Sequence, residues 1–327
     1  MKHTGFFDTF LQEQVNLNQS RLDRLKTSVG AITDLLKSKL KNYESVSPQG
    51  SYAHQTIIKP VQENDEFDAD LLVYIEDENF SLEEYYDYPK DVYQLLKDND
   101  NYKDKIRYGT RCVTIDYAGD FHLDIVPCIK HKDSFYICNR QDECYEKTDG
   151  DGYKDWLADK NKLSQGNYLR KATRLFKFLR DHKDNFTIKS ILLTTLLGEY
   201  VNGSYNDLPS ALKGLSNQIN QFLQDHPEMP KIENPVLPGE DFNRNWTQKQ
   251  YKNFRDKFDI YNTKINDAFD EKDHNASVKK WRALFGDEFG ELKDQDNSGK
   301  KSSTSSAIGG STGVAATKPY GDYDGVE

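Results

Sequence analysis

The chain has 327 residues and a net charge of −10, from 44 Lys and Arg against 54 Asp and Glu, a length that fits about two domains. Apolar residues at 36% and aromatics at 12% can fill a core without disulfides or structural metal and exclude global disorder. The acidic balance weighs against long DNA or RNA, whose binding rests on neutralised phosphates; runs such as Ile191–Leu197 are far short of the ~20 residues that span a bilayer.

The opening MKHTGFFDTFLQEQ has neither an h-region nor a cleavage site, so a cytoplasmic protein is expected. In chain order, Leu22, Leu25, Val29, Ile32, Leu36 and Leu40 recur at helical spacing, predicting one long helix from Phe6 to Asn42. At 1.5 Å per residue it would be a rod of about 54 Å. The stretch SVSPQGSY, residues 45–52, breaks it through Pro48 and Gly50. Ala69–Glu76 reads as a strand and Ser81–Lys97 as a helix. Arg111–Tyr117 and Phe121–Ile129 read as two strands joined in a hairpin by Ala118-Gly119-Asp120.

Beyond the Gly/Asp-rich break at Asp149–Gly152 the character turns helical. Tyr168, Ala172, Leu175 and Leu179 make one helix face, and Arg170, Arg174, Lys177 and Asp181 the opposite one. Ile188–Val201 is apolar nearly all round, hence a buried helix. The proline-punctuated stretch His226–Pro238 reads as loop, and Lys249–Glu271 and His274–Phe285 as amphipathic helices. From Asp294 onward the composition is too polar to fold, and residues 294–327 are expected to be disordered. The remaining chain divides into a core over 1–160 and a helical lobe over 161–293. Four cysteines fall within 33 residues, and Cys128, His131, Cys138 and Cys144 form an irregularly spaced set that could hold zinc; free buried thiols are the plainer reading.

The chemistry concentrates in three phrases: Gln49-Gly50-Ser51-Tyr52, then Asp68-Ala69-Asp70 entering a strand, then Leu123-Asp124-Ile125-Val126-Pro127. Strand alternation puts Asp68 and Asp70 on one face about 6.6 Å apart, where Asp124 can join them from a neighbouring strand. Clustered aspartates repel one another unless cations bind, and oxygen-only ligands suit magnesium or manganese. Two such ions can clamp the attacking and leaving oxygens of a phosphoryl transfer. The Gly-Ser turn offers backbone N–H groups and a hydroxyl, with no Cβ at Gly50 to hold phosphate away. D-x-D occurs five times in the chain; only Asp68/Asp70 lies between a Gly-Ser turn and an apolar strand, and the others read as solvated charge. Arg170, Arg174 and Lys177 form either a solvated helix face or a cationic patch for a triphosphate. Ser190 is either a substrate contact or a helix N-terminal residue bonded to backbone. His54 and His122 flank the motifs without a partner at defensible spacing.

The order QGSY, Thr56 and Lys59-Pro60, EFDADLLVYI and FHLDIVP resembles the bacterial cyclic-oligonucleotide synthases. These are relatives of cyclic GMP–AMP synthase and oligoadenylate synthase in the DNA polymerase β nucleotidyltransferase superfamily. The resemblance implies an α+β protein with a mixed sheet, flanking helices, a long N-terminal spine helix and a helical second lobe closing a nucleotide cleft. It implies that Asp68, Asp70 and Asp124 hold two Mg²⁺ ions, with Mn²⁺ able to substitute, and that Asp124 helps activate the attacking hydroxyl. Lys177 and Ser190 match positions that contact the triphosphate, Gln49, Gly50, Ser51 and Arg174 are taken as further nucleotide-binding residues, and Tyr200 stands where relatives stack an aromatic on a base. The implied reaction joins NTPs, ATP among them, into a cyclic di- or trinucleotide for anti-phage (CBASS) signalling. A HORMA-type protein or ubiquitin-like conjugation machinery is the implied partner of the tail. The alternatives are a template-independent polymerase that tails RNA or modifies a protein or small molecule, and a catalytically silent nucleotide-binding module.

Overall fold

A computed structural model describes residues 1–62 and 66–294. Its strands are β1 (Tyr43–Gln49), β2 (Phe67–Ile75), β3 (Ile106–Tyr108), β4 (Val113–Tyr117), β5 (Phe121–His131), β6 (Ser134–Asn139), β7 (Cys144–Thr148), β8 (Glu233–Asn234) and β9 (Leu237–Asp241). Its helices are α1 (Thr4–Phe10), α2 (Gln19–Lys39), α3 (Gly50–Ala53), α4 (Tyr88–Lys97), α5 (Gly150–Leu163), α6 (Tyr168–Lys183), α7 (Ser190–Tyr200), α8 (Leu208–Asp225), α9 (Gln248–Asp270) and α10 (His274–Phe285).

The first seven strands form one mixed sheet in the order β1-β2-β5-β4-β3, with β6 on the far half of β5 and β7 on β6. β2 and β5 are parallel and the other pairs antiparallel. Odd-numbered residues of the central strands, among them Leu71, Val73, Leu123 and Ile125, are buried with Leu25, Ile32 and Leu36 of α2 and Val92 and Leu96 of α4. The even-numbered residues face the other way, where Leu72, Tyr74 and Cys128 cluster. Pro48 sits in β1 at the sheet's edge, where a missing ladder donor is tolerated; that strand was hidden inside the expected break at 45–52.

The expected single N-terminal helix is two. α1 runs into a π-helical turn over Leu11–Val15, the chain extends at Asn16, and α2 restarts with Asn18 as its cap, the side chain accepting from the Arg21 amide. Five of the six leucine-spaced residues lie on the second piece and Leu40 caps its end, so their periodicity carried no information about the first. The apolar side chains of α1 and the turn after it, Phe7, Phe10, Leu11 and Val15, join the apolar cluster of the helices α6–α10 and not the core under the sheet. Phe7 meets Trp281 edge-on at 4.9 Å. The first part of the 1–160 segment thus packs among the helices of the 161–293 segment.

Three further expectations change. The helix at Ser81–Lys97 begins only at Tyr88, because Pro89 takes a first-turn position and Asp87 caps it. The stretch His226–Pro238 holds β8 and the start of β9, a small hairpin. Helix α8, apolar through Leu212, Leu215 and Ile219, was not anticipated. The tail expected to be disordered lies, from residue 295 on, outside the described residues.

Candidate active site

The even-numbered face of the sheet forms the floor of a cleft. β2 presents Asp68 and Asp70 and β5 presents Asp124, and the parallel register sets Asp70 directly beside Asp124 and Asp68 beside His122. The loop from β1 into α3 lies on this floor. Gly50 has φ +61°, and a Cβ there would stand 2.1 Å from Asp70 Oδ2, so the backbone runs against the carboxylate in a conformation that favours glycine. Asp124 Oδ1 accepts a hydrogen bond from Thr114 Oγ1 on the neighbouring strand β4.

The roof comes from the helices. Lys177, Arg180 and Asp181 of α6 and Ser190, Ile191 and Thr194 of α7 line the same cavity of about 420 Å³ as Gly50, Ser51 and the three aspartates. The Lys177 ammonium donates to the Thr56 carbonyl at 2.8 Å. Arg180 donates to Asp181 at 2.6 Å, to the Ile188 carbonyl at 2.9 Å and to Ser190 Oγ at 3.2 Å. Residues of the first turn of α7 thus border the cavity, where the unpaired N–H groups of a helix N-terminus favour an anion.

Burial, with Asp124 and Asp68 adding repulsion, pushes the Asp70 carboxyl up to about 6 despite Lys177 nearby. Asp68 is raised by burial and Asp124, with His122 opposing. Lys177 is pushed down to about 7, by burial first and then by Arg180. His54 is lowered to about 3 by burial and the neighbouring Lys177 and Arg170 and stands as neutral imidazole. A carboxylate floor whose members repel one another and a cationic roof suit a hard divalent cation below and a phosphate chain above. Among the described residues no three His, Cys, Asp or Glu side chains converge closely enough to hold an ion alone.

Seven of the expected residues meet in this cleft: Gly50, Ser51, Asp68, Asp70, Asp124, Lys177 and Ser190. Two do not. The Gln49 amide turns away and donates to Asp151 Oδ1 at 3.2 Å, because its side chain packs on Gly150 at the start of α5. Arg174, 1% exposed, lies a turn before Lys177 and donates to the Gln55 carbonyl at 2.8 Å, holding the segment behind the Gly-Ser loop. Arg174 and Lys177 of the basic stripe are thus buried rather than solvated, and Arg170 is half-buried. Tyr200 packs on Phe222 at 5.6 Å, outside the cavity lining. The zinc set is not assembled: Cys128 sits in the cluster on the cleft-side face of the sheet, Cys138 in the core on the opposite face, and Cys144 is exposed. Arg180 and Thr194 were missed, although Arg180 follows Lys177 at i+3 and the spacing shows it.

This mixed sheet with helices on its flank, paired strand carboxylates and a helical lobe above them has the polymerase-β-like nucleotidyltransferase fold. Residues 1–161 match the Second Messenger Oligonucleotide or Dinucleotide Synthetase domain; the chain carries this nucleotidyltransferase domain, of the kind that condenses nucleoside triphosphates into oligonucleotide second messengers. It is 27% identical over 284 residues, 75% of this chain and 74% of the relative, to a c-di-GMP synthase of Roseivirga ehrenbergii. Among solved structures, Escherichia coli MS115-1 CdnC with ATP superposes with a TM-score of 0.70 at 19% identity, covering 88% of this chain and 99% of that one. Bradyrhizobium diazoefficiens CdnG in complex with GTP gives 0.67 at 18% identity, over 86% and 94%. The Vibrio cholerae DncV cyclic AMP-GMP synthase gives 0.63 at 15%, over 88% and 96%. At these identities the structures speak for the fold alone. No helix among the described residues is long and apolar enough to cross a membrane.

Proposed function

We propose that two nucleoside triphosphates, ATP among them, bind in this cleft in the bacterial cytoplasm and are closed into a cyclic dinucleotide, a trinucleotide being the next ring the same chemistry makes. One observation carries the reading: a single cavity has Asp68, Asp70 and Asp124 on its floor and Lys177, Arg180 and Ser190 on its roof. A ribose hydroxyl of one nucleotide forms the new P–O bond at the α-phosphorus of the next, and the bond to the β-phosphate oxygen breaks, releasing pyrophosphate. Asp68, Asp70 and Asp124 would hold two Mg²⁺ ions, or Mn²⁺ in their place, which would supply charge neutralisation and a more acidic hydroxyl. Gly50 and Ser51 hold the triphosphate through backbone and hydroxyl donors. Lys177 and Arg180 meet the charge that builds on the leaving pyrophosphate, and Asp124 is the carboxylate assigned to the attacking hydroxyl.

Signalling against phage (CBASS) is the proposed setting. The proposed partner is a HORMA-type regulator or a ubiquitin-like ligation system acting on the tail, residues 294–327; the similar CdnC has been solved in complex with a HORMA protein.

Purified protein with four α-labelled NTPs and Mg²⁺ or Mn²⁺ is expected to yield a phosphatase-resistant product without free ends, absent from Asp68→Ala/Asp70→Ala. Phosphatase-sensitive ladders would instead identify a tailing polymerase. No product, even with a HORMA-type regulator added, would identify a silent module.

The pH profile of kcat/KM for NTP is expected to be bell-shaped at sub-saturating metal. Below about 6 Asp70 takes up a proton and the floor loses an anionic ligand; above about 7 Lys177 loses its proton and the roof loses a cation. Lys177→Arg keeps its charge at alkaline pH, so its alkaline limb is expected to move upward. An unmoved limb would remove Lys177 from phosphate recognition.

A further inference from the structure

Thr114 has no role in the reading above, yet it is the partner of a floor carboxylate. In β4, Val113 and Ile115 point into the core under α2 and α4. Thr114 points the other way, is 7% exposed and is paired by the antiparallel register with Asp124. Its hydroxyl donates to Asp124 Oδ1 at 2.5 Å, and Cys112, two residues back, places its Sγ 3.8 Å from that hydroxyl.

The kind of donor matters. Asp116 is held by Arg107 and His122, and Asp120 by Arg21 and Arg24. Each of those partners can bring a positive charge that would compete with a metal for the carboxylate. A hydroxyl fixes the rotamer of a carboxylate while leaving its charge in place, which is what a cation ligand requires. We propose that Thr114 is a positioning residue for the metal site, committing one oxygen of Asp124 so that the rest of the anionic carboxylate serves the cleft. The inference rests on the reading that Asp124 helps hold a divalent cation.

Thr114→Val keeps the shape and removes the donor; Thr114→Ser keeps the donor. Each is titrated with Mn²⁺ in the presence of a non-reactive NTP analogue, reading the metal-induced rise in melting temperature, and then assayed for turnover against Mn²⁺ concentration. The half-saturating Mn²⁺ concentration is expected to rise about 10–100-fold in Thr114→Val and to stay within about threefold of wild type in Thr114→Ser. Excess metal should restore much of the Thr114→Val turnover. If Thr114→Val does not fold, Thr114→Ala is read the same way below its own melting temperature. A merely structural role would lower the metal-free melting temperature and leave the Mn²⁺ midpoint unchanged, which overturns the proposal. A wild-type protein indifferent to Mn²⁺ overturns the metal reading, and the proposal with it.

Discussion

Asp70→Asn is expected to lower nucleotidyl transfer by on the order of 10³-fold or more while making the metal-free protein more stable at neutral pH. The first effect follows from losing an anionic ligand where several kcal/mol of transition-state charge stabilisation is at stake. The second follows from the raised Asp70 carboxyl, about 6 against an ordinary 3.8. A carboxyl raised in the folded state holds its proton more tightly there than in the unfolded chain, so the fold loses stability as pH climbs from about 4 through about 6. Above that window the full penalty is present; below it the penalty is gone. Asparagine carries no charge to bury, and the gain at pH 7–8 is expected on the order of 1–2 kcal/mol once screening at an open cleft is allowed for. Thermal unfolding with chelator at pH 8 and at pH 4.5 checks it: the gain should appear at the first and fade at the second. An equal gain at both would mean the carboxylates do not strain one another.

Gly50→Ala is expected to cost about 10²-fold in kcat/KM, because the new Cβ would stand 2.1 Å from Asp70 Oδ2 and a displacement of about 1 Å at a reacting centre has that effect. The left-handed φ of +61° adds roughly 1 kcal/mol of folding cost. A control separates the two contributions. Gly239, in the β8–β9 hairpin, has φ +93° with no atom within 4 Å of its would-be Cβ. Gly239→Ala should carry the backbone cost and leave turnover alone. If both variants lose only stability, Asp70 tolerates the displacement and the close approach of the loop is not what places it.

The chemistry of the site was more legible in the sequence than its architecture. Asp68 and Asp70 could be named because a two-residue spacing on an apolar strand has one geometric meaning, Asp124 as the acid of a neighbouring apolar strand, and Gly50 because a turn without a Cβ admits phosphate; that it lies on the Asp70 carboxylate emerges only from the fold. Lys177 and Ser190 came from the resemblance, and both line the cavity with the three aspartates. Gln49 and Arg174 failed for one reason: adjacency in sequence to a site residue does not say which way a side chain turns. Gln49 turns across the strand to α5, and Arg174 is a turn too early on its helix and grips the Gln55 carbonyl instead. Thr114 carried no signal, since its role exists only through cross-strand register. Strand β1 was masked by Pro48 and Gly50, which punctuate most segments but are tolerated at an edge and at the strand's exit. The break at Asn16–Asn18 was hidden because α1 and α2 each bury apolar residues at helical spacing, against different partners.

That break also governs how the chain assembles. Phe7 and Phe10 are made well before their partners Trp281, Phe285 and Phe289. The sheet and α2 draw mainly on residues 17–148 and can condense during synthesis, whereas α1 must await a contact some 270 residues downstream, the kind of closure that slows folding. A nascent chain stalled before α10, or a fragment ending near residue 160, would display an unpaired phenylalanine face, a target for chaperones. Completion of the last helix is the event that retires it.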